Sequence, residues 1–101
     1  MEPYNKLVRD KIPEILDSKG ILYEKRIAND EEYRVELVKK LVEETNEFVK
    51  ETNIEELADV VEVIEAMRLL PEFSEVESVR LKKKEERGGF EKRLILKGQK
   101  Q

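Results

Sequence analysis

Two long stretches with helical spacing of apolar residues, separated only by Thr52-Asn53, constrain this chain more than any other feature. From Glu31 to about Glu51, Leu37, Val38, Leu41, Val42, Phe48 and Val49 fall on one arc of a helix. A second helix is expected from about Ile54 to Leu70, where Pro71 ends it by removing a backbone donor. So short a break predicts that the two helices return on each other as an antiparallel hairpin. The second helix carries apolar residues around well over half its circumference. A lone hairpin cannot bury both sides of it, so an oligomeric helical bundle, a homodimer or homotetramer, is expected.

The flanks read as shorter elements of one all-α domain spanning residues 1–101. Pro13, suited to a first helical turn, opens a short helix to about Lys19 that Gly20 stops. Asp30 is the expected N-cap of the first long helix. Ser74-x-x-Glu77 has the form of a capping box for a further helix, closed near Arg87 by Gly88-Gly89. Residues 21–27 and 90–97 are compatible with short extended segments, which could pair.

Composition narrows the chemistry. With no cysteine, neither a disulfide nor a thiolate metal site can form. With no histidine, any hydrolysis must work without the commonest general base, which favours carboxylates and metal-bound water. The net charge of −4 makes duplex nucleic acid a poor partner, although Lys82, Lys83, Lys84, Arg87, Lys92 and Arg93 gather near the end. No membrane-length apolar run or signal-like segment appears, and a cytoplasmic location is expected.

Two acidic pairs then stand out. Glu44 and Glu47 lie three residues apart on the first long helix, and Glu56 and Asp59 repeat that spacing on the second. At about 1.5 Å rise per residue, the pairs lie roughly 10 Å and 7 Å from the turn, an axial mismatch of about 3 Å. Carboxylates can bridge that across a typical helix spacing of about 8–10 Å. Glu44 borders the apolar arc of its helix, and Glu56 falls inside that of its own, between Val63 and Met67. A carboxylate there is costly to bury unless paired or metal-bound. Glu47 and Asp59 lie farther toward the polar sides. Four oxygen donors at one level suit a hard cation, magnesium before others.

A plainer reading stands beside this one. Among 24 acidic residues such pairs arise easily, and Glu55, Asp59, Glu62 and Glu65 could form a solvated ridge. Asn53-x-x-Glu56 could be a capping box, which would make Glu56 structural. Thr52-x-x-Glu55 offers the same cap one residue earlier. On this reading the chain is a non-catalytic helical interaction module.

The stretches Lys40-Leu41-Val42-Glu43-Glu44-Thr45-Asn46-Glu47 and Glu55-Glu56-Leu57-Ala58-Asp59-Val60 resemble the MazG-like all-α NTP pyrophosphatase superfamily. That group carries Glu-x-x-Glu on one helix and Glu-x-x-Asp on the next. The opening Tyr4-Asn5-Lys6-Leu7-Val8-Arg9-Asp10-Lys11-Ile12-Pro13 and the closing Glu86-Arg87-Gly88-Gly89-Phe90 resemble its narrower branch of house-cleaning phosphohydrolases, which are phosphoribosyl-ATP pyrophosphohydrolase-like. The resemblance implies hydrolysis of a nucleoside triphosphate to monophosphate and pyrophosphate, clearing non-canonical or damaged nucleotides. Phosphoribosyl-ATP or a pyrimidine dNTP is the alternative substrate. It also implies magnesium, with manganese as a substitute, on Glu44, Glu47, Glu56 and Asp59. The link is short for that group: eight residues separate Glu47 from Glu56.

Glu47 or Glu43 is the candidate to orient the attacking water. Lys40, Arg80, Lys83, Lys84 and Arg87 are candidates for the phosphates, the last four otherwise being a solvated helix end matched to the macrodipole. Lys6 and Arg9 either face phosphate or pair with Asp10 and Glu14. Tyr4 and Phe90 could stack on a base, with packing roles the more ordinary expectation.

Overall fold

The computed structural model describes residues 5–99 and, among them, contains helices and no strand. The elements are α1 (Ile12–Ser18), α2 (Asp30–Lys50), α3 (Ile54–Arg68), a short 3₁₀ turn (Pro71–Phe73) and α4 (Val76–Arg87). The all-α expectation is met. The chain divides into two compact units, Met1–Met67 and Arg68–Gln101.

In the first unit, α1 carries Pro13 in its opening turn and ends where Gly20, at φ 68°, reverses the chain. Gly20 donates its N–H to the Asp17 carbonyl, and Ile21 donates to that of Leu16. Residues 21–27 do not form the extended ladder allowed for them. Leu22 and Ile27 are almost wholly exposed at 97% and 99%, while Tyr23 donates to Asp17 Oδ1 and Arg26 forks onto Glu32. A lone two-strand pair is marginal in water, and here local side-chain bonds take its place.

The N-cap of α2 is Asn29, not Asp30. Asn29 is extended, and its side chain accepts from the Glu32 N–H at 2.8 Å. Asp30 becomes the first helical residue, where with Glu31 and Glu32 it complements the positive end of the helix. The helix buries Leu37, at 3% exposure, and runs to Lys50.

The link from α2 to α3 is Glu51–Asn53. Of the two caps open to the sequence, Asn53 is the one used. Its side chain accepts from the Glu56 N–H at 2.8 Å, whereas the Thr52 hydroxyl donates back to the Phe48 carbonyl. The reciprocal half of a capping box is missing, because the Asn53 N–H goes to the Glu51 carbonyl. The Glu56 carboxylate is therefore left out of the cap. On α3, Val63 is buried.

In the second unit Leu70 is buried. Ser74 does not cap α4: it closes the 3₁₀ turn in helical conformation, and the helix begins after Glu75 without a side-chain cap. Glu77 is drawn instead into ion pairs with Arg68 and Arg80, which hold its carboxyl down to about 2, chiefly through the Arg80 hydrogen bond. α4 ends as expected at Gly88, whose φ of 83° suits a residue without a side chain. Beyond it, residues 90–97 form no strand, and Leu94, Ile95 and Leu96 are exposed.

Replacing Asn53 with Ala should cost about 0.5–2 kcal/mol, the usual range for an N-cap. Thr52→Ala should cost less, since its hydroxyl serves an exposed carbonyl that water can satisfy. Urea unfolding of both variants followed by circular dichroism checks the order.

Candidate metal centre

The link places the last turns of α2 and the first two turns of α3 where their acidic residues meet. Carboxylate oxygens of Glu44, Glu56 and Asp59 all lie within 4.8 Å of one another, and all three residues are half-buried. Two come from α3 at positions three apart and one from α2, as the helical spacing predicts. Glu47 is exposed and outside this trio, although its charge is felt at Glu56.

Glu56 is the centre of the crowding. Its carboxyl is pushed above the usual 4.5, first by desolvation and then by the charges of Asp59, Glu47, Glu51 and Glu44. Its place in the first turn of α3 favours a negative charge, so the crowding overrides the helix macrodipole. Among the described residues no cation pairs with Glu56. Three converging carboxylates, one of them resisting its own charge, have the chemistry of a hard-cation site, since such an ion removes the repulsion and takes oxygen ligands.

Three cations border the cluster. Arg9 Nη2 donates to Asp59 Oδ1 at 2.8 Å, and Lys6 Nζ to Glu43 Oε1 at 2.8 Å. Lys40 lies 3.4 Å from Glu43 and 3.7 Å from Glu44. The two local partners expected for Lys6 and Arg9, Asp10 and Glu14, give way to residues 37 and 50 positions away. Glu43 is consequently held below 4.5, chiefly by the Lys6 hydrogen bond with Lys40 in support, which makes it a poor proton acceptor. Glu47, the other candidate to orient water, has no cation paired with it among the described residues.

The remaining candidates sit in the second unit. Arg80 is engaged by Glu77, while Lys83, Lys84 and Arg87 are exposed on the later turns of α4. Phe90 is 96% exposed. Tyr4 lies outside the described residues. Sequence spacing missed the contribution of Glu51 to the field at Glu56 and the reach of Arg9 to Asp59, for which no local signal exists.

Among the described residues no helix is long and apolar enough to cross a membrane. No protein-family model matches this chain, and no curated protein or solved structure matches it.

Because Glu56 is raised in the folded state, its neutral form is the one folding favours. Stability should therefore be lost as pH rises from the unfolded carboxyl value through the higher folded one. Glu56→Gln should raise the Tm at neutral pH without added metal and leave it unchanged near pH 3. Thermal melts across that range check the sign.

Proposed function

We propose that this chain is a magnesium-dependent nucleoside triphosphate pyrophosphohydrolase, releasing a nucleoside monophosphate and pyrophosphate. The observation that carries the reading is the convergence of Glu44, Glu56 and Asp59 from two helices, with Glu56 unpaired by any cation among the described residues. Its support in the sequence is the resemblance of the two acidic stretches, the opening segment and the Arg87-Gly88-Gly89 end to the MazG-like pyrophosphatases. The nearness of Glu44 to Glu56 and Asp59 also supports an antiparallel hairpin of α2 and α3.

Glu44, Glu56 and Asp59 would hold the magnesium, with Glu47 the fourth ligand that the resemblance implies. When bound, the ion would neutralise charge developing on the phosphates and acidify a coordinated water. Glu47, exposed at the edge of the trio, is better placed than Glu43 to orient that water, because Glu43 is committed to Lys6 and Lys40. Arg9, Lys6 and Lys40, which border the trio in ion pairs with Asp59, Glu43 and Glu44, are the proposed phosphate-binding cations of this unit. Non-canonical or damaged nucleotides are the proposed substrates and the cytoplasm the proposed location.

Assembly is part of this reading. Val35, Val38, Val42 and Val49 on α2 and Ile54, Leu57, Val61 and Ile64 on α3 are all exposed. Among the described residues only Leu37, Val63 and Leu70 are buried apolar side chains. Apolar surface on this scale favours packing against further copies of the chain, as a homodimer or homotetramer. Light scattering behind size exclusion should give at least twice the 12.0 kDa chain mass, and Val61→Glu should shift it toward monomer.

One observation favours a non-catalytic module: the ion pairs of Lys6 and Arg9 already offset part of the acidic charge. A pyrophosphate-release screen over ordinary and damaged nucleotides, with magnesium or manganese, separates the two. The enzyme reading expects release with at least one nucleotide, loss of at least about ten- to a hundredfold in Glu56→Gln, and wild-type helicity in that variant. Silence across the whole screen would leave the module.

A further inference from the structure

Arg9 Nη2 donates a close hydrogen bond to Asp59, a member of the acidic trio, at 2.8 Å. Lys6 bonds to Glu43, which is outside the trio, and Lys40 approaches Glu44 only at 3.7 Å from the same helix. The Arg9 pair joins residues 50 apart, and both side chains are partly open to water, at 56% and 41%. Its backbone is anchored separately, since the Arg9 carbonyl accepts from the Ile12 N–H at 3.1 Å at the entry to α1. The guanidinium can therefore leave Asp59 while the chain beneath it stays in place.

We propose that Arg9 is an internal competitor of the divalent cation, holding Asp59 until the ion takes it and then turning to the phosphates of the substrate. This rests on the metal-site reading above and adds a regulation of that site. A carboxylate oxygen that accepts from a guanidinium is less available to a cation, so binding the ion costs the Arg9 pair. The released guanidinium presents its planar fork of donors, which matches a phosphate, beside the ion it has just admitted. Ion and nucleotide thereby assist each other through one side chain, and by linkage the assistance is reciprocal. Without substrate, the site holds its ion more weakly than three carboxylates alone would.

The experiment is a Mn²⁺ titration of the full chain without nucleotide, read by the free-ion EPR signal, for wild type, Arg9→Gln and Arg9→Lys. Removing an exposed pair of this kind predicts about two- to fivefold tighter Mn²⁺ binding in Arg9→Gln. Arg9→Lys, which keeps the charge, should stay near wild type, and in steady-state assays Arg9→Gln should raise KM for the nucleotide. Wild-type helical circular dichroism is required of each variant, with Arg9→Met in place of Gln if the latter unfolds. Equal or weaker binding in Arg9→Gln, or the same gain in Arg9→Lys, overturns the competition while leaving the metal site intact. No Mn²⁺ binding by wild type would remove the metal site itself, and this proposal with it.

Discussion

The link Glu51–Asn53 is the constraint on which the acidic site depends. Three residues leave little freedom in where α3 starts, and the Asn53 side chain pins that start by accepting the Glu56 N–H. Because the Asn53 N–H is used by the Glu51 carbonyl, no reciprocal bond draws the Glu56 carboxylate back into the cap. The backbone of Glu56 is thus held while its side chain remains available. A longer link, or a cap one residue earlier, would change both the axial level and the azimuth at which Glu56 and Asp59 face Glu44.

Charge around this point is arranged in opposite ways on neighbouring residues. Glu43 gathers Lys6 and Lys40 and is stabilised as an anion, while Glu56, with four carboxylates around it, is not. In the second unit Glu77 lies between two arginines and is depressed to about 2. The same residue type therefore spans an ordinary ion-pair role and a strained one within a single small chain. A group that resists its own charge lowers stability, and strongly perturbed groups are enriched at functional sites, although ion-pair networks such as that of Glu77 perturb them too.

The distribution of apolar side chains follows the same division of labour. α2 and α3 have wide apolar faces, yet among the described residues each buries only one large side chain, Leu37 and Val63. Helix periodicity specifies which residues share a face, but it does not specify what covers that face. This is why the helices read clearly from the sequence while the full extent of the core did not.

Local rules were enough for the helices, the Gly20 and Gly88 stops, and the two i,i+3 acidic pairs, because each depends on residues a few positions apart. They failed at the caps of α2 and α4. Asn29 and Asp30 are both competent caps, and only the extended backbone at Asn29 decides between them; Ser74 was overridden because Pro71 starts a 3₁₀ turn and Glu77 is taken by arginines. The possible strands at 21–27 and 90–97 failed for want of a ladder. Helical periodicity alone specified the all-helical class and set Glu44 near the end of α2 and Glu56 and Asp59 three apart near the start of α3. That these three meet while Glu47 stays outside, and that Arg9 and Lys6 reach Asp59 and Glu43, emerges only from the folded chain. The physical reason is separation: helical spacing acts over three or four residues, whereas these pairs join positions 37 and 50 apart, which no periodicity encodes.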